Sequence, residues 1–370
     1  MNPDRRQLLR LLAAGQLLAA AGPLLGAPPA ALPAAGGLYL ASRKRGARYE
    51  AACIDAGGAD HRVFPLPGRG HSFAIDPARR RAVVFGRQPG FFAYGFGLDD
   101  DAPPRSLALP EGRHFFGHGS LSADGQLLFT TENDYETGRG VVGVYDADKL
   151  HRLGEFDSTG IGPHELLLMP DGHTLCVANG GILTHPDYGK TVLNRDTMAP
   201  SLAYIDSRNG RLLESVALAP ALHQLSIRHL ALDRNGAVWF GCQHSGPAAD
   251  RPALVGRHRR GEQPELLAMP DPIRHRMRNY VGSVAASGAG DIIATTSPLG
   301  GLVVYWDADS GRCLGSQAIA DGCGAAPLAG NDFLLSDGFG GLARGGPGAA
   351  MATILPPGPA LAWDNHLRRI

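Results

Sequence analysis

Residues 113–134 read RHFFGHGSLSADGQLLFTTEND. His118 opens an alternating run, a turn at Ala123-Asp124-Gly125 follows, and a second apolar run returns. Period-two alternation on both sides of an Asp-Gly turn predicts a β-hairpin. The arrangement recurs as RGHSFAIDPARRRAVVFGR at 69–87, GPHELLLMPDGHTLCVANGG at 162–181 and IRHLALDRNGAVWFGCQHSG at 227–246. A histidine therefore opens the same unit four times.

Each hairpin is continued by two further short runs. In the 113–157 region the four are HGSLSAD, QLLFTTEND, GVVGVYDAD and LHRLGEFDS. From His71 to His118 is 47 residues, and from His118 to His164 is 46. The step from His164 to His229 is longer because 180–200 reads as an inserted loop. Four-stranded blades recur at roughly 40–50 residues. The first runs after residue 37 (GLYLASRKR, ARYEAACIDAGG, HRVFPLPG) look like second, third and fourth strands, whereas LAWDNHLRRI at the C-terminus looks like a lone first strand. Joining the two ends completes the last blade and removes exposed sheet edges. The expectation is an all-β, seven-bladed β-propeller over 37–370, closed by pairing the C-terminal strand with the N-terminal blade. The 51 glycines and 28 prolines of the 370-residue chain suit many tight turns.

Lys plus Arg and Asp plus Glu are 35 each, so no net field favours nucleic acid or anionic lipid. The N-terminus, MNPDRRQLLRLLAAGQLLAAAGPLLG, carries Arg5-Arg6 before a mildly apolar, Gly-interrupted stretch. That stretch is too short and broken for a spanning helix and predicts an export signal over 1–36. Arg5 to Arg10 resembles the twin-arginine (Tat) motif, with Asp4 in place of the usual Ser or Thr. A general secretory signal with two arginines is the alternative. The mature chain is expected in the periplasm with no membrane span. Five cysteines form no C-x-x-C pair, and Cys313 with Cys323 is a candidate bridge in an oxidising compartment.

First strands of a propeller line its central channel and start on one face. That places His71, His118, His164, His229 and His366 in one ring, with Ser283 and Gly324 completing seven positions. Neutral imidazoles favour Fe, Cu or Zn over Ca or Mg. The five histidines are therefore candidate metal ligands. Glu132, Asn133, Glu165, Asn179, Gln243 and His244 are candidates for supporting or ligand-binding roles around them. The structural alternative is that each imidazole only satisfies hydrogen bonds within or between blades. RHRMRNY at 274–280 reads as a surface loop, with covering the channel mouth or binding an anion as the alternative. No nucleophile elbow or phosphate loop is found.

Several stretches go beyond a generic propeller. They are GIGPHELLLMPDG, GGILTHPDYGKTVLNRDTMAPSLAYID, HQLSIRHLALD, VWFGCQ and AWDNHL. In these the chain resembles an uncharacterised bacterial family of exported, YVTN/WD-repeat-like propellers, a domain of unknown function often encoded beside imelysin-like iron-uptake proteins. The resemblance implies a periplasmic home, an association with iron and imelysin-like proteins as candidate partners. It supplies no catalytic residues. The leading expectation is a transition-metal-binding propeller, iron or copper favoured, serving metal handling or a linked redox step. Alternatives are a lactonase-like metal-dependent hydrolase and a non-catalytic interaction platform.

Overall fold

A computed structural model describes residues 37–100 and 102–370. The export signal expected over 1–36 lies outside the described residues. Short apolar runs bounded by Gly and Asp turns form seven four-stranded antiparallel sheets, which are the blades of a β-propeller. Blade 1 has the order β28 (Leu361–Arg369), β1 (Tyr39–Arg45), β2 (Arg48–Ile54), β3 (Asp60–Leu66). Its β1 pairs with β28 from Tyr39↔Arg369 to Arg45↔Leu361, so the two chain ends close the ring as expected.

The other six blades each use four consecutive strands. Their inner strands are β4 (Gly70–Asp76), β8 (Arg113–Leu121), β12 (Pro163–Leu168), β16 (Leu225–Leu232), β20 (Ser283–Ala286) and β24 (Gly322–Pro327). Each inner strand touches the next around the ring, with β28 between β24 and β4. The apolar core lies between neighbouring blades. Trp239 and Phe240 of blade 5 pack with Trp306 of blade 6, and Phe85 of blade 2 packs with Phe115 and Tyr145 of blade 3. Tyr39, Trp363 and Leu367 of blade 1 pack with Leu334 and Leu342 of blade 7. Burying one such aromatic contributes roughly 1.5–3 kcal/mol. The closing interface is therefore apolar as well as hydrogen-bonded.

Two expectations need correction. Residues 274–280 are not a plain surface loop. They continue helix α1 (Asp271–Arg276), Met277 is fully buried, and Tyr280 bridges to Gln243. The structural reason is Met277, which joins the blade 5–6 core and pulls the segment inward. Nor do Cys313 and Cys323 form a bridge, since all five cysteines are free thiols. Burial pushes the Cys176 thiol up to about 12, so this cysteine behaves as a small apolar side chain.

Ring closure makes a direct prediction. Deleting residues 361–370 strips β1 of its partner and exposes the inner edges of blades 1, 2 and 7. The truncated chain should lose its cooperative melt and self-associate, as read by circular dichroism and size-exclusion chromatography. A monomer with an unchanged melting transition would contradict the closure.

Candidate metal centre

All five histidines lie on inner strands, one each on β4, β8, β12, β16 and β28. They do not open those strands uniformly, because His118, His229 and His366 sit mid-strand. What they share is a break in strand register. The pairing shifts between Gly70 and Phe73, Phe115 and Gly119, Pro163 and Glu165, and Ile227 and His229. The β1–β28 register also shifts, between Leu367 and Trp363. Each histidine sits in or at the edge of its bulge, which re-aims a side chain by inserting extra residues.

The bulges also resolve an offset. Gly119 pairs with Thr130 at the place where Leu166 pairs with Val177 in blade 4. His118 is thus one residue nearer its turn than His164. In regular strands that slip would put the two imidazoles on opposite faces. The β8 bulge holds one residue more than that of β12 and corrects the phase. Gly117, at φ +103°, makes the correction, and a Cβ there would stand 2.6 Å from His71 Cδ2. Thr131 Oγ1 donates to the carbonyls of His118 (3.2 Å) and His164 (3.1 Å), satisfying groups that the bulges release from the ladder.

The imidazoles form one layer across the channel. Ring centroids are 4.5 Å apart for His71–His366, 4.7 Å for His118–His366, 4.9 Å for His71–His118 and 4.8 Å for His164–His229. Two triads bring one nitrogen per residue within 4.8 Å of one another: His71, His118 and His366, and His118, His164 and His229. Blades 6 and 7 add no imidazole. At Gly324 a side chain would strike the β28 backbone, 2.8 Å from Leu367 N.

Two carboxylates hold the layer. Asp364 Oδ1 accepts from His71 Nδ1 at 2.9 Å and from Arg87 Nη1 at 3.1 Å, and Arg69 also bonds this carboxylate. Glu165 lies 3.5 Å from both His118 Nδ1 and His229 Nδ1, accepts from Leu230 N at 3.1 Å and pairs with Arg368. Burial lowers the proton affinity of every ring member, to about 3 for His71 and about 4 for His229. It also lowers that of His118, and it takes His164 and His366 well below the ordinary value. Burial alone would raise the two carboxyls, but His118 and Arg368 hold Glu165 well below its usual range. His71 and Arg87 hold Asp364 likewise. The result is neutral imidazoles, the form that ligates metal, beside ionised carboxylates.

The layer divides the channel. On one side is a cavity of about 250 Å³, with His71, His164 and His229 in its wall. On the other is a mostly apolar opening to which Glu165 and Arg368 contribute.

Of the supporting residues expected from sequence, Glu165 contacts the ring and Gln243 lines the 250 Å³ cavity. Three of the others have local partners. Glu132 is fully buried and accepts from Thr130 (2.7 Å), Tyr145 (3.0 Å) and Arg152 (2.8 Å) within blade 3. Asn133 donates to Thr184 O (3.1 Å), fixing the inserted loop, and lies 3.1 Å from His114 Nε2. Asn179 donates to Ser158 O (2.9 Å), whereas His244 comes 3.4 Å from Asp250 with neither buried nitrogen hydrogen-bonded. Asp364, Arg368 and Arg228 were not anticipated. A signal existed for two of them: Asp364, His366 and Arg368 fall at period two on one strand, which places such residues on one face.

Residues 64–370 match the family described as protein of unknown function (DUF1513). No curated protein matches the sequence. Among solved structures, a chain of Kuenenia stuttgartiensis hydrazine synthase superposes with a TM-score of 0.59 at 13% identity, covering 78% of this chain and 86% of that one. At that identity the likeness is one of fold. With 1356 solved chains matching, the architecture does little to narrow function.

Two expectations follow from the ring. The five imidazoles are neutral when folded but titrate near 6.5 when unfolded, so unfolding takes up protons below that pH. Stability should be full above pH 6.5 and fall progressively from there toward pH 4. Thermal melts across that range should show a steeper loss for wild type than for His229→Gln, and equal slopes would contradict a neutral buried His229. Gly117→Ala should cost about 1–3 kcal/mol in chemical denaturation, since only glycine tolerates this backbone conformation.

Proposed function

We propose that this chain, which belongs to the DUF1513 family of proteins of unknown function, binds one transition-metal ion in its imidazole layer. The observation that carries the proposal is a set of orphaned nitrogens. His118 Nε2, His164 Nε2 and both nitrogens of His229 and His366 are buried without a hydrogen-bond partner. Only the 3.5 Å approach of Glu165 to His229 Nδ1 relieves this. Four of the five ring histidines carry such a nitrogen, whereas among the other described histidines only His244 does, and histidines kept for structure alone are mostly satisfied locally. Desolvating each orphan costs about 1–3 kcal/mol unless something else binds it.

The two triads are not equally primed. His71 directs Nδ1 at Asp364, and His118 directs Nδ1 at Glu165, which leaves each Nε2 lone pair free. His164 Nδ1 instead faces Arg228 Nη1 at 3.3 Å. Arginine only donates, so this imidazole carries its proton on Nε2. His71, His118 and His366 are thus the favoured ligands, with His229 next to them at 4.9 Å from His366. Tetrahedral coordination at metal–nitrogen bonds near 2.1 Å needs nitrogens about 3.4 Å apart, a modest contraction from the present spacing. The donor set suits Fe, Cu or Zn.

The biological reading is metal handling or a linked redox step in the periplasm, alongside imelysin-like proteins. The resemblance to exported propellers encoded near iron-uptake proteins supports it, with iron or copper favoured. The hydrolase and platform alternatives gain no separate observation.

Metal analysis of protein exported by its own signal, then reconstituted with Fe, Cu or Zn, tests the site. About one equivalent is expected. His71→Ala and His366→Ala should each remove most of it, whereas His164→Ala should retain the majority. Less than about a tenth of an equivalent with every metal would refute the proposal and leave the platform reading.

A further inference from the structure

The cavity above the imidazole layer has a charge pattern that the histidines do not explain. Arg87, Lys190 and Arg228 all face it. Arg87 is paired with Asp364, which also serves Arg69 and His71. No carboxylate pairs with Arg228 or Lys190 among the described residues. Arg228 reaches only His164 Nδ1, and its Nε is buried with no partner. Like charges gathered around a recess without counter-charges are costly unless an anion joins them.

Neutral donors complete the wall: Tyr280, Gln243 and Asn365. Gln243 is held in place by donating to Val281 O at 3.1 Å. Phe116, Ile182 and Val192 supply an apolar side. At about 250 Å³ the space equals that of roughly eight waters, too large for a single inorganic ion and suited to a short carbon skeleton.

We infer that this cavity is a binding site for a small organic polycarboxylate, its carboxylates held by Arg228, Arg87 and Lys190 and its carbon chain lying on Phe116, Ile182 and Val192. Planar guanidinium groups recognise carboxylate in two-pronged fashion, and a flexible ammonium at the mouth adds a third contact. The cavity opens directly onto His71, His164 and His229, so the bound anion lies against the imidazole layer. The inference stands on the cavity itself and does not require a metal.

Calorimetric titration of the chelator-treated, exported protein with citrate, succinate and inorganic phosphate tests it. Citrate should bind at a single site, more tightly than phosphate. Arg228→Met should weaken citrate by about tenfold or more, the effect of losing one charge-assisted contact. Lys190 is exposed on the inserted loop, so Lys190→Met should fold normally and weaken citrate several-fold. Three results would each overturn the inference: no citrate heat at millimolar concentration, phosphate binding more tightly than both carboxylates, or citrate affinity unaffected in both Arg228→Met and Lys190→Met. Citrate binding in a protein that takes up no metal would sink the metal reading alone.

Discussion

The centre of this propeller depends on imidazoles being packed against each other while uncharged. Five rings whose neighbouring centroids are 4.5–5.9 Å apart could not share one layer as cations. Burial removes that difficulty by disfavouring the protonated form. Asp364 then accepts from His71 and fixes that ring, while Glu165 stands 3.5 Å from His118 and His229. Arg368 and Arg87 in turn keep those carboxylates ionised. Geometry and electrostatics are thus solved together: removing either carboxylate would free the rings to turn, and removing either arginine would invite a proton onto the acid.

The bulges are the means by which ordinary strands reach this arrangement. A propeller strand presents alternate residues to its two sides, and a histidine one residue out of phase would point into a blade. Extra residues at Gly117 and its counterparts restore the phase locally. Thr131 and Thr296 return hydrogen bonds to carbonyls near the bulges. Blade 6, which contributes Ser283 and no imidazole, pairs its inner strand with β21 (Ile292–Ser297) without a register shift. Bulging in the inner strand and presence of a central histidine go together in five blades. Blade 7 bulges too, at Gly324, where close approach of β28 takes the place of a side chain.

Much of this was legible in the sequence because it is repeated. Alternation, Asp-Gly turns and a spacing near 46 residues define the blades, and the mismatch between chain ends defines the closure. The five histidines were legible for the same reason. The supporting residues were less so. Glu132, Asn133 and Asn179 lie at the ends of the second strands of their blades, and nothing in their spacing distinguishes a side chain aimed at the channel from one committed to its own blade. Glu132 turned out to be bound to Tyr145 and Arg152, contacts set by the third and fourth strands. Arg228 was hidden because it neighbours His229 and reads as a solvated strand residue. Its position in the cavity wall comes from the bulge, which period-two reasoning does not contain.

Closure through β28 ties the seam of the propeller to its centre. Asp364 and His366 both belong to β28, the strand that pairs with β1 across most of the sequence. One ring member and the acid that orients another are therefore delivered by the same pairing that closes the blades. Six blades are each built from consecutive strands, but none of them can finish the centre alone. The seam and the site are one structural event: opening the first by parting β28 from β1 dismantles the second, even where every other blade stays whole.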